Sequence, residues 1–137
     1  MAEQEPDRLA GTARDLGLPY DENDQDWGIM YADHTRLPEF IAYYRERSAE
    51  FNWGQRYDVG ELILASANDA IVERHPHGDL LPTIFELLVA DQDHPATRML
   101  LEYWSSLHSD PEAIGADEVF PISRLLDRLI QETGGKE

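Results

Sequence analysis

Between Asp58 and Arg74 the chain reads DVGELILASANDAIVER. Val59, Leu62, Ile63, Ala67, Ala70 and Ile71 recur at the spacing that gathers side chains on one face of an α-helix, and Leu64 and Val72 widen that face. A helix apolar over so much of its circumference has to be covered from more than one side. The stretch therefore predicts a central helix over 58–74 with other helices laid around it. Asp58 and Glu61 have capping-box spacing and predict its start. Pro76 and Gly78 predict its end, because the residue before a proline avoids helical backbone.

Four further helices surround it in sequence. Thr35 is a suitable N-cap for the first, with Pro38 in its first turn and Leu37, Phe40, Ile41, Tyr44, Ser48 and Phe51 on one face. That helix should end near residues 52–54. Asp79 predicts the start of a third, in which Leu80, Leu81, Ile84, Phe85, Leu87, Leu88 and Val89 leave almost no polar side. A fourth spans about 96–108, with Met99, Leu100, Tyr103, Trp104 and Leu107 inward. Asp110-Pro111 can begin a short turn that Gly115 ends. The last covers about 121–133, where Ile122, Leu125, Leu126, Leu129 and Ile130 form a continuous stripe. Nowhere do β-branched residues alternate with polar ones over a strand length. The expected fold is all-α, a single small domain of about five helices. A chain of 137 residues can bury enough surface to fold without a staple.

Residues 1–33 differ from the rest. They hold nine acidic and two basic residues, a net of −7. A helix over 7–18 is weakened by Gly11 and Gly17, and the run Asp21-Glu22-Asn23-Asp24-Gln25-Asp26 follows Pro19 closely. These positions are expected to be an acidic N-terminal arm, partly ordered at most, ahead of a helical domain over 34–137. The acidic run has no register that satisfies a calcium-binding EF-hand loop.

Charge and composition limit the function classes. The chain has 28 acidic and 11 basic residues, a net of −17, so phosphate backbones and anionic lipid repel it. Neither nucleic acid nor a membrane is expected as a partner. A basic protein is, because complementary charge speeds encounter and selects partners. With no cysteine there is no thiolate chemistry and no disulfide. The polar N-terminus lacks the basic and apolar regions of a secretion signal, and the expected location is the cytoplasm.

No motif marks an enzyme. The serines sit in no nucleophile elbow, and no glycine-rich phosphate loop is present. No cofactor is expected. The strongest metal candidate is His75, His77 and Asp79, with Glu73 nearby, since imidazole and carboxylate bind zinc, iron or nickel. Asp91-x-x-His94 is the nearest approach to a di-iron motif, but it sits before Pro95.

Aromatic residues concentrate in the first 57 positions. Tyr44 and Trp53 are expected in the core, whereas Trp27, Tyr31 and Tyr43 are candidates for a surface. Tyrosine and tryptophan anchor interfaces while surrounding charges steer. The expected partner-binding set is Asp21, Glu22, Asp24, Asp26, Trp27, Tyr31, Tyr43, Glu46 and Glu50. The functional expectation is an inhibitor, or an immunity- or antitoxin-type protein, that neutralises a basic toxin or nuclease. The alternatives are a metal protein using His75, His77 and Asp79, and a homodimer paired through the C-terminal stripe.

Overall fold

In the computed structural model, which describes residues 8–21, 27–107 and 120–134, every element is helical. The centre is the expected one, but it starts earlier. Helix α4 spans Trp53–Val72, and Val59, Leu62, Ile63, Leu64, Ala67 and Ala70 are all buried along it. Asn52, not Asp58, is its N-cap. The Asn52 side chain accepts from the Gln55 amide at 2.8 Å, and the Gln55 side chain accepts from the Asn52 amide at 3.2 Å. The reciprocal pair satisfies two donors that a helix start leaves open. Glu61 is freed from capping and is buried inside the fold.

Around α4 lie the other four expected helices. These are α3 (Leu37–Arg47), α5 (Leu81–Ala90), α6 (Pro95–Ser106) and α7 (Pro121–Gly134). α3 is entered through a short 3₁₀ turn, His34–Arg36, capped by Asp33 rather than Thr35. The Asp33 carboxylate accepts from the Thr35 amide at 3.0 Å and from its hydroxyl at 2.6 Å. α5 is entered in the same way, through the turn Pro76–Leu80, whose N-cap is His75 and not Asp79. The stripe on α7 is turned inward: Ile122 and Leu126 are fully buried, and Leu125, Leu129 and Ile130 pack half-buried against the core. The turn expected over 110–115 lies outside the described residues.

Two shorter helices come from the expected arm: α1 (Arg8–Leu16) and α2 (Trp27–Met30). Ala13, Leu16 and Trp27 are buried in the same core as α4. Gly17 ends α1 in left-handed backbone at φ 70°, and the Leu18 amide closes back on the Ala13 carbonyl at 2.8 Å.

Polar side chains of α4 tie the surrounding elements down in sequence order. Gln55 Nε2 donates to Thr12 of α1 at 2.7 Å. Glu61 accepts from the Trp104 indole of α6 at 3.4 Å. Ser66 Oγ accepts from the Asp33 amide at 2.9 Å, and Asn68 Oδ1 accepts from the Ile122 amide at the start of α7 at 3.2 Å. Each bond satisfies a buried polar group that would otherwise oppose folding.

The C-terminus of α4 closes with a wrap that normally uses glycine. The His75 amide bonds the Ala70 carbonyl at 2.8 Å, and the residue before it, Arg74, sits at φ 58°. A side chain in that backbone region carries strain that glycine avoids. Arg74→Gly is therefore expected to raise stability by about 0.5–1 kcal/mol, read from the urea midpoint at unchanged m-value. A loss of stability would show instead that the Arg74 side chain makes a contact worth more than the strain.

Candidate functional site

The expected partner-binding residues that lie among the described residues divide between the core and the surface. Trp27 is 1% exposed, and its indole donates to the Pro19 carbonyl at 2.9 Å. It is spent on the core, because Gly28 lets α2 approach the α4 main chain closely enough to carry the ring inside. Tyr31 packs edge-on against Trp27 at 6.0 Å and is half-buried. Tyr43 is half-buried as well, its hydroxyl donating to Asp15 at 3.0 Å and so joining α1 to α3. Asp21, Glu46 and Glu50 are exposed, and Glu50 is paired with Arg47 at 3.4 Å. Glu22, Asp24 and Asp26 lie outside the described residues.

Trp53 reverses the expectation in the other direction. As the first residue of α4 it is 50% exposed, and its indole stacks on the Tyr57 ring at 5.5 Å with 5° between the planes. The two are one helical turn apart, so the stack is built on a rigid element and capped by Asn52. Met99 and Tyr103, also one turn apart, are similarly exposed on α6. Leu100 lies between them in sequence and presses on Gly60, which is one turn beyond Tyr57. The sequence carried this signal, since Trp53 falls on the first turn of any helix capped by Asn52.

The metal candidate resolves into a histidine cluster of different membership. His75 is in ring contact with His34 at 4.8 Å and with His77 at 4.4 Å. His75 Nδ1 accepts from the His77 amide at 3.0 Å, so in the neutral ring the proton is on Nε2. His77 Nδ1 donates to the His34 carbonyl at 2.8 Å. His77 Nε2 keeps an open lone pair, and neither nitrogen of neutral His75 does. Among the described residues no group of three histidine, aspartate or glutamate side chains is placed to hold a metal ion. Asp79 is exposed and shares the lining of an open cleft with His75, Arg74 and Leu125.

The most elaborate polar constellation is one the sequence did not indicate. Asp91, which reads as a loop residue, places Oδ2 within hydrogen-bond reach of three donors. They are the Tyr44 hydroxyl at 2.5 Å, the Thr97 hydroxyl at 3.0 Å and Arg56 Nη1 at 2.5 Å. Arg56 is buried and also donates to the Ser48 carbonyl at 2.7 Å. Burial, reinforced by the Asp91 carboxylate, pushes the Tyr44 phenol up to about 12, so it remains a donor at neutral pH. His94 stands 3.7 Å from the other Asp91 oxygen on the exposed side. Three donors on one oxygen leave no room there for a substrate, and the group acts as a staple joining α3, α4 and the α5–α6 connection.

Among the described residues no helix is long and apolar enough to cross a membrane. No family model matches the chain, and no curated protein or solved structure matches it, so a functional reading rests on its own residues.

Proposed function

We propose that this chain is an acidic protein-binding module that neutralises a basic partner, as an inhibitor, immunity protein or antitoxin does. The observation that carries the reading is the half-exposed Trp53–Tyr57 stack on a chain of net charge −17. Large apolar rings cost free energy when held in water, and on monomers they are usually folded in. Here the exposed Trp53 ring is stacked on the half-buried Tyr57 ring over the rigid first turns of α4. Met99 and Tyr103 form a second pair of exposed apolar side chains, on α6. Long-range attraction from the acidic surface would raise the encounter rate, and the rings would then supply the desolvated contact that slows release.

The test is capture by the immobilised full chain from lysate of its source cells, over a salt series from about 0.05 to about 0.5 M. The expected result is a basic protein held at low salt and released as salt screens the charges. With that partner purified, Trp53→Ala is expected to weaken affinity about 10- to 30-fold, with a stability change under about 1 kcal/mol. A partner bound equally well at high salt and by Trp53→Ala would overturn the proposal. Capture of no basic protein at low salt would overturn it too.

A further inference from the structure

We propose that the imidazoles of His34, His75 and His77 form an acid-sensitive latch, which fastens the 76–80 turn to the 34–36 turn at neutral pH and releases it in acid. The three residues come from two separate turns, both packed against α4. The His75 ring packs against the His34 ring at 4.8 Å and against the His77 ring at 4.4 Å. Two main-chain bonds complete the latch: the His77 amide to His75 Nδ1 at 3.0 Å, and His77 Nδ1 to the His34 carbonyl at 2.8 Å.

A proton added to His75 must go to Nδ1, the atom that accepts from the His77 amide. The same event therefore removes the N-cap of the 76–80 turn and puts positive charge against two other imidazoles. The charged groups around the cluster come from several elements. Asp33 and Asp69 both lie in the electrostatic field of His34, and Glu73 stands beside Asp69. Arg36 offsets Asp33 on that side. His75 has Arg74 and Asp79 next to it around the cleft, and from α7 only Leu125 lines that cleft. A charge on His75 would thus meet Arg74 and Asp79, of opposite sign, and two other imidazoles in ring contact.

Burial first, and then His77 and His34, hold His75 below the ordinary histidine value. As pH falls through the ordinary range near 6.5, the unfolded chain binds a proton at His75 before the folded chain does, so stability is lost. The loss is complete once pH is below the depressed folded value.

The experiment is a carbon–proton NMR titration of the imidazole Cε1–H groups in the full chain from pH about 7.5 to about 5, with urea stability measured over the same range. His75 is expected to titrate below the ordinary histidine value, with backbone shifts concentrated at 34–36 and 75–80. Stability should fall across the interval. In His75→Asn it should fall less, because asparagine keeps the acceptor for the His77 amide and cannot be protonated there. His75 titrating at or above its ordinary value would overturn the latch, as would parallel losses in parent and variant. The titration of the parent decides the matter alone if the variant does not fold.

Discussion

Asp91→Ala is expected to lower folding stability by about 3–5 kcal/mol, the largest effect of any single change to a polar residue in this chain. Asp91 Oδ2 receives the Tyr44 hydroxyl, the Thr97 hydroxyl and Arg56 Nη1. Removing the carboxylate takes the counter-charge from the buried Arg56 guanidinium, which still donates to the Ser48 carbonyl. A charge left without its counter-charge in a water-poor site bears its full desolvation cost, and two hydroxyls lose an acceptor as well. The pair is not being credited with that much net stabilisation, because burying both charges was costly to begin with. The distinction can be measured. Arg56→Met removes the cation and most of the same burial cost, so Asp91→Ala should hurt less in the Arg56→Met background than in the parent. A coupling of more than about 1 kcal/mol in the double-mutant cycle is expected from urea unfolding. A single-mutant loss under about 1 kcal/mol would mean that water already solvates the group and that no staple exists.

That staple shows where sequence reading stops. The apolar residues of α4 are legible because helical spacing is local, and the same holds for α3, α5, α6 and α7. The Asp91–Arg56 contact joins positions 35 apart, and nothing near either residue points to the other. The start of α4 was misplaced for a different reason. Asn52…Gln55 and Asp58…Glu61 both have capping-box spacing, and local pattern alone cannot rank them. Tertiary structure ranks them: the Trp104 indole faces Glu61, while the Thr12 hydroxyl receives Gln55. The two tryptophans exchanged places on the same principle. Trp27 follows an acidic run and reads as exposed; Trp53 stands near aromatic residues and reads as core. Trp27 is carried onto α4 by α2, whereas Trp53 is the first residue of α4 itself, and which of the two is covered depends on the packing of the whole chain.

The acidic character and the aromatic surplus were legible, and they are what the binding proposal retains. The histidine cluster was legible only in part. His75 and His77 are adjacent in sequence, but His34 reaches them across α3 and α4, and Asp79 does not complete a metal site with them. Ring contact among three imidazoles is a consequence of two turns meeting. The turn at 34–36 forms because Asp33 caps it, and the turn at 76–80 forms because His75 does.

The second large effect tests the contact that carries Trp27 inside. A Cβ on Gly28 would lie 2.7 Å from the Leu62 nitrogen and 2.9 Å from the Asp58 oxygen, both main-chain atoms of α4. Flexible side chains can yield to an added methyl; the backbone of a helix buried on several sides cannot. Gly28→Ala should therefore push α2 off α4 and partly withdraw the Trp27 ring, at a cost of about 2–3 kcal/mol. Alanine is the better helix former by about 1 kcal/mol, so propensity alone predicts the opposite sign. Gly11→Ala in α1 provides the control, since a Cβ there meets nothing within 4 Å. That variant should be unchanged or stabilised by up to about 1 kcal/mol. Urea unfolding followed by tryptophan fluorescence reads both effects, because Trp27 should become more quenchable in Gly28→Ala alone. If both alanine variants gain stability, α2 does not pack through Gly28. Trp27 would then have to be buried by some other contact.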